Sequence, residues 1–507
     1  MKRRPVFRYN RKILEKLEKN CWVAYYARIS CYFLKKGFEM SDEIWRLGVC
    51  ETAAAIREEK YTCYEVVRSA IDRLHEINPR LNAVSVDLSE EALQQASEAD
   101  SQLQNNGDIG LLFGVPITLK ENIDLKGKAT TLGVERFANN IAPEDAPVVD
   151  SLKKAGAIII GQTNMPEFGL RWFTDNPMRG RTNNPWDTNR TPGGSSGGAA
   201  AAVAMGIGSM AHGNDIGGSL RYPSYCCGLV TIKPGFGAVP NYNPSLGVKR
   251  PISFQIMAVQ GPITRSVADT RLAFEVMSKA SVLDPWSVPS IKPEGINTDK
   301  IKIGVPVFLG NRVSPSVASS IEKTASMLSN RGYTVESVEL PSVDELVELW
   351  GTILFNDIRI FQLDMIRESG SEDIVSIIES KLSYFPDPSL EDYAMALARR
   401  VEAIQEWAII MEEFPVILAP VSLQPPLGHA EDIGGSDQYK KMEELQCWLI
   451  ATNFLGLPSV ALPTGIIDGL PTGVQLIGRR FHEDQCLDVA QAIEDEVGIL
   501  VKNLWSK

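Results

Sequence analysis

The sequence predicts an α/β protein built on a central sheet that is buried on both faces. Three observations carry this prediction. Helical periodicity alternates with short, continuous apolar runs such as Ala157–Ile160, which suit strands covered from both sides. Such runs recur at both ends of the chain around a helical middle, which favours one interwoven unit over two independent ones. The composition, 44% hydrophobic and 22% charged over 507 residues, is that of a chain able to bury a large core.

The elements follow in order. Residues 1–40 read as a basic helical extension, and 41–507 as a single α/β domain. Residues 1–39 hold eleven Lys or Arg against three Glu, a net +8 that leaves −20 for the rest of a chain of net charge −12. The apolar run Cys21–Leu34 is interrupted by Arg28 and is too short to span a bilayer. A secretory signal fits it poorly, because the apolar region is interrupted and no small-x-small cleavage site follows. An extra helix that packs on the body is the default reading, and a peripheral membrane contact through residues 1–39 is the alternative.

From about residue 43 the chain reads as helix, with Ser41 and Thr62 as expected N-caps. Residues 89–104 are polar and helical, and GVPITLKENID (114–124) is strand-like. A helix through 150–155 leads into the strand 157–160. Residues 315–332 and 342–411 are expected to be helical, with a break around YFPDPSLED. Strands return at 416–420, 458–463 and 472–478, and a helix closes the pattern at 484–496.

Eight cysteines without a CxxC or Cys/His ligand pattern imply reduced thiols and a cytoplasmic setting. The acidic balance argues against nucleic acid as a partner. Only four histidines exist, His75, His212, His429 and His482, so a zinc site or a Ser-His-Asp triad has few sources. Nothing suggests a metal or an organic cofactor.

The chemistry concentrates in Gly193–Gly228, where GGSSGG and DIGGS flank the alanine run 199–204. A solvated Gly/Ser linker fits poorly among apolar flanks. Neither GxxxxGK[ST] nor GxGxxG is present, which disfavours nucleotide binding, and the elbow GxSxG is missing too. Acyl transfer suits the segment better. Glycines before Ser219 let backbone N–H groups converge on an oxyanion. His212 is the only histidine nearby, so a lysine neutralised by burial is the alternative base, and Lys120, ending an apolar run, is a candidate.

PGGSSGG (192–198), DIGGSLR (215–221) and GVPITLKENID resemble the amidase signature family. INPRLNAV, GAIIIGQTNMPEFG, TNNPWD, GPITRSVAD, GLPSVALPTG and GLPTGVQLIGRRFHED extend the resemblance over roughly residues 45–497, in the expected order. The resemblance implies the amidase-signature fold, a large mixed central sheet flanked on both faces by helices. It implies amide hydrolysis through an acyl-serine, with Ser219 as nucleophile, Ser195 as the bridging proton relay, on a cis peptide in the family, and Lys120 as base.

The N–H groups of Ile216, Gly217, Gly218 and Ser219 are the implied oxyanion donors, and Ser196, Asp215 and Arg221 the supporting groups. Met165, Trp172 and Phe173 are expected to line an apolar acyl pocket, which the aromatic stretch 345–366 could cover. Asn214 departs from the usual Ser or Thr, and Thr231 and Gly235 also differ. The expected partners are a small-molecule amide and a second copy of the chain. Three alternatives stand beside hydrolysis: acyl transfer to an amine, the glutaminase subunit of a tRNA-dependent amidotransferase, and a thiol mechanism through Cys226 or Cys227.

Overall fold

The computed structural model describes residues 43–105, 109–246, 249–289, 301–307 and 312–506. The basic extension at 1–40, its membrane contact and the Ser41 cap lie outside them. The expected start near residue 43 resolves into a single 3₁₀ turn, Ile44–Arg46, followed by helices Val49–Arg57 and Cys63–Leu81. Thr62 caps the second of these: its hydroxyl accepts from the Glu65 N–H, and the Glu65 carboxylate returns to the Thr62 N–H.

Eleven strands form one mixed sheet. They are β1 (Val84–Asp87), β2 (Pro116–Lys120), β3 (Ile158–Thr163), β4 (Met210–Asp215), β5 (Val230–Lys233), β6 (Val259–Thr264), β7 (Lys302–Pro306), β8 (Thr334–Val338), β9 (Val416–Pro420), β10 (Ser459–Ile467) and β11 (Leu470–Gly478). Their order is β1-β3-β2-β4-β6-β5-β10-β11-β9-β7-β8. β2 runs parallel to β3 and β4, and β7 parallel to β8 and β9, while the other pairs are antiparallel.

Both faces are buried, as the continuous apolar runs require. On β9, Val416 and Leu418 pack with Val317 and Ile321 of helix Pro315–Asn330 and Leu487 of helix Glu483–Val497. Ile417 and Ala419, one residue out of phase, pack instead with the helical middle of the chain. On β2, Ile117 and Leu119 pack with Val148, Val149 and Leu152 of helix Pro147–Lys154. Each is fully buried, which contributes about 1.5–3 kcal/mol per side chain. Thr118 and Lys120 therefore belong to the other face.

Six helices matter for the site: α1 (Gly197–Ala204), α2 (Arg221–Cys227), α3 (Val343–Phe361), α4 (Glu372–Tyr384), α5 (Ser436–Leu445) and α6 (Cys447–Leu455). Every residue of α1 is buried, because glycine and alanine let its backbone approach the neighbouring elements closely. The expected break at YFPDPSLED is real. α4 ends at Tyr384, and Ser389 accepts from the Asp392 N–H to start helix Leu390–Glu413. Among the described residues, no helix is long and apolar enough to cross a membrane.

Candidate active site

Lys120 is the last residue of β2, with Thr163 of β3 beside it and β4 on the other side. This end of the strand is sealed, and the lysine has no exposed surface. Its Nζ lies 2.6 Å from Ser195 Oγ and donates to Asn214 Oδ1 at 2.7 Å. Burial, against the pull of the Asp215 charge, lowers its pKa to about 7. Near neutral pH a large fraction of this amine is uncharged.

Ser195 stands on the loop before α1, after a cis Gly194–Ser195 peptide. The loop lies against the start of α2: a Cβ on Gly193, whose φ is +80°, would fall 2.7 Å from Pro223 Cα. Ser196 Oγ donates to the Asn214 carbonyl at 3.4 Å, which ties the same loop to the end of β4.

Ser219 follows β4 across the turn 216–218. Asp215 organises this turn. One carboxylate oxygen accepts from Gly218 N–H at 2.7 Å and the other from Leu220 N–H at 3.1 Å. Arg221, fully buried, donates to both oxygens at 3.0 and 3.1 Å, and also to Gln475, the Leu449 carbonyl and Asn453. Burial alone would raise the Asp215 carboxyl, but Arg221, the Lys233 charge and the Gly218 N–H together hold the acid below the usual carboxylate range.

The turn's carbonyls are held as well. Trp172 Nε1 donates to the Gly217 carbonyl at 2.8 Å, and Trp350 Nε1 to that of Ile216 at 3.0 Å. The N–H groups of Ile216, Gly217 and Ser219 have no hydrogen-bond partner among the described residues, so they remain free to receive an oxyanion. The Gly218 N–H does not join them. Asp215 has taken it, which removes one of the four expected donors.

Ser219 lines a cavity with Gly169, Leu170, Arg171, Trp172, Ile216, Gly217, Trp350, Leu354, Phe355, Lys381 and Tyr439. Its free space, about 40 Å³, is small beside the roughly 300–1,000 Å³ of ligand pockets. Trp172 is where the sequence reading expects it. Met165 and Phe173 are buried and do not line this cavity. The stretch 345–366 does cover the site, through Trp350, Leu354 and Phe355 of α3.

Sequence reasoning missed Lys381, Tyr439 and the contact that Asn214 makes with Lys120. For Asn214 a signal existed, since it stands out as a departure beside Asp215. Lys381 and Tyr439 come from α4 and α5, with nothing in their local sequence to mark them.

The other candidate groups fall away on geometry. His212 is buried and held by Gln260 at 2.7 Å, and burial pushes its pKa down to about 4. Cys226 and Cys227 lie inside α2, off the cavity wall, and burial raises both thiols.

Comparison with known proteins finds the following likenesses. The family model described as "Amidase" matches residues 65–487. Indoleacetamide hydrolase of Bradyrhizobium diazoefficiens is 43% identical over 472 residues, covering 91% of this chain and 88% of that protein. A glutamyl-tRNA(Gln) amidotransferase subunit from Natranaerobius thermophilus is 30% identical, covering 89% and 96%. The crystal structure of a bacterial aryl acylamidase superposes with a TM-score of 0.79 at 27% identity, covering 92% of this chain and 98% of that one.

Proposed function

The chain belongs to the amidase signature family and hydrolyses amide C–N bonds, and on that premise we propose that it cleaves primary amides of arylacetic acids with Ser219 as nucleophile. One observation carries the catalytic assignment: a buried amine with a pKa of about 7 lies 2.6 Å from a serine whose loop packs against the helix that follows Ser219. The substrate class draws support from the identity to an indoleacetamide hydrolase and from the aromatic wall of Trp172, Trp350, Phe355 and Tyr439.

In this reading neutral Lys120 accepts a proton from Ser195 Oγ as Ser195 takes one from Ser219 Oγ. Ser219 Oγ bonds to the amide carbon, and the carbonyl π pair moves onto oxygen. The free N–H groups of Ile216, Gly217 and Ser219 receive that charge. Each such donor is worth about 10²–10³ in rate. Collapse of the intermediate expels the amine, which leaves with the proton relayed back from Lys120 through Ser195. Water then attacks the acyl ester by the same relay and frees the carboxylic acid. The buried free thiols Cys50, Cys63, Cys226, Cys227, Cys447 and Cys486 support a cytoplasmic setting.

The test is product analysis by mass spectrometry on indoleacetamide, phenylacetamide, aliphatic amides and esters, with and without an added amine. We expect free acid as the main product from the arylacetamides and none from Ser219→Ala. Activity surviving in Ser219→Ala, or amide product outweighing acid when an amine is present, overturns the reading.

A further inference from the structure

Three ionisable side chains that line the Ser219 cavity, Arg171, Lys381 and Tyr439, have no part in the proton relay. Lys381, on α4, is buried and lines the same wall as Trp172 and Tyr439. Its Nζ donates to the Leu170 carbonyl at 2.6 Å. An ammonium has three donors, and around the rest of this one stand aromatic rings. Nζ lies 5.2 Å from the centroid of Tyr439, 5.8 Å from Trp172 and 6.0 Å from Phe355.

The neighbouring acids are occupied elsewhere. Asp432 pairs with Arg171 through two contacts at 2.7 and 2.8 Å. Glu443 accepts from the Tyr439 hydroxyl at 2.9 Å, and burial lifts its carboxyl to about 8. No acidic side chain among the described residues pairs with Lys381 Nζ within ion-pair distance. Burial lowers the Lys381 amine to about 8, so below that pH it is a buried cation without a direct counter-ion, the setting in which the negative face of an aromatic ring binds most strongly. All three rings that surround it belong to residues that also form the cavity wall.

We propose that Lys381 is a specificity-determining residue of the acyl pocket: its ammonium, set among Trp172, Phe355 and Tyr439, receives the π face of an electron-rich aromatic acyl group. The pocket then selects aryl over alkyl acyl groups, and among aryl groups it selects by electron density as well as by size. This proposal rests on the reading of the Ser219 cavity as the acyl pocket of an amide hydrolase.

The experiment measures kcat and KM for indoleacetamide, phenylacetamide, pentafluorophenylacetamide and cyclohexylacetamide. The fluorinated ring reverses the charge of the aromatic face, and the saturated ring keeps the size without it. The variants are Lys381→Gln, which keeps an N–H for Leu170 but no charge, and Lys381→Arg, which keeps both. Thermal melting establishes that each is folded.

The wild type should show KM about ten-fold lower for phenylacetamide than for its fluorinated analogue, the size of a desolvated cation–π contact. In Lys381→Gln the ratio should fall to within about two-fold, with the loss in KM rather than kcat, and Lys381→Arg should restore it. A purely structural lysine would lower activity on all four amides together and leave the ratio intact. An intact ratio in folded Lys381→Gln overturns the proposal, as does a wild type indifferent to fluorination. Should Lys381→Gln fail to fold, a Lys381→Arg variant that is folded and has lost the ratio overturns it. A wild type that cleaves aliphatic amides and no arylacetamide overturns the substrate class itself, a different failure.

Discussion

Asn214→Asp places a carboxylate where a neutral amide oxygen now sits 2.7 Å from Lys120 Nζ. An opposite charge at that range favours the ammonium and raises the lysine pKa by about 1–3 units. Taking about two units moves it from about 7 to about 9. The base works only when neutral, so the sign is a loss of activity at lower pH. At pH 7 the neutral fraction falls from about one half to about one hundredth, so kcat/KM should drop about fifty-fold. By pH 10 most of the loss should have recovered. The assay is log kcat/KM against pH from 6 to 10 on phenylacetamide, with Asn214→Thr, the more usual residue type here, as the uncharged control. An acidic limb that stays in place, or moves to lower pH, in a folded Asn214→Asp would refute Lys120 as the base.

Two further outcomes follow from the turn that carries Ser219. Gly218 has φ +108°, and a Cβ there would fall 2.5 Å from Leu449 Cδ1, so Gly218→Ala should displace the turn and lower kcat by about 10²–10³ with little change in KM; steady-state kinetics showing less than about a three-fold change would contradict this. Arg221→Met leaves the buried Asp215 carboxylate without its partner and should cost about 3–5 kcal/mol of stability in urea unfolding. A loss below about 1 kcal/mol would show that Asp215 is supported by backbone N–H groups alone.

Much of this was legible from residue pattern. Apolar runs marked the start of β3 (158–160) and all of β9, and β11 stayed recognisable although Thr472 and Gln475 interrupt it, because strands covered on both faces are predominantly apolar. β4 was hidden, since MAHGND carries no β-branched residue and its place comes from pairing with β6 over six positions. The glycines around them marked Ser219 and the Ser195–Ser196 pair, and the apolar run before it made Lys120 a candidate; the resemblance to the amidase signature family chose Ser195 over Ser196 and Lys120 among the lysines. The cavity was legible only in part: Trp172 and the α3 stretch were expected there, whereas Lys381 of α4 and Tyr439 of α5 were not, since a lysine on a helix reads as solvent-facing until its neighbours are known. Met165 and Phe173, expected beside Trp172, are buried and do not line this cavity.

Lys120 reaches Ser195 from the end of β2, whose register is set by five pairs with β3 and by two with β4, Ile117 with Met210 and Thr118 with Ala211. A slip of one residue between these strands would turn Lys120 toward the core now filled by Ile117 and Leu119, and bring those side chains to the serines. Such a molecule could keep its helices, its mass and much of its sheet, and yet have no base. Turnover per mole of refolded chain therefore reports the fidelity of strand alignment, a quantity to which circular dichroism is blind.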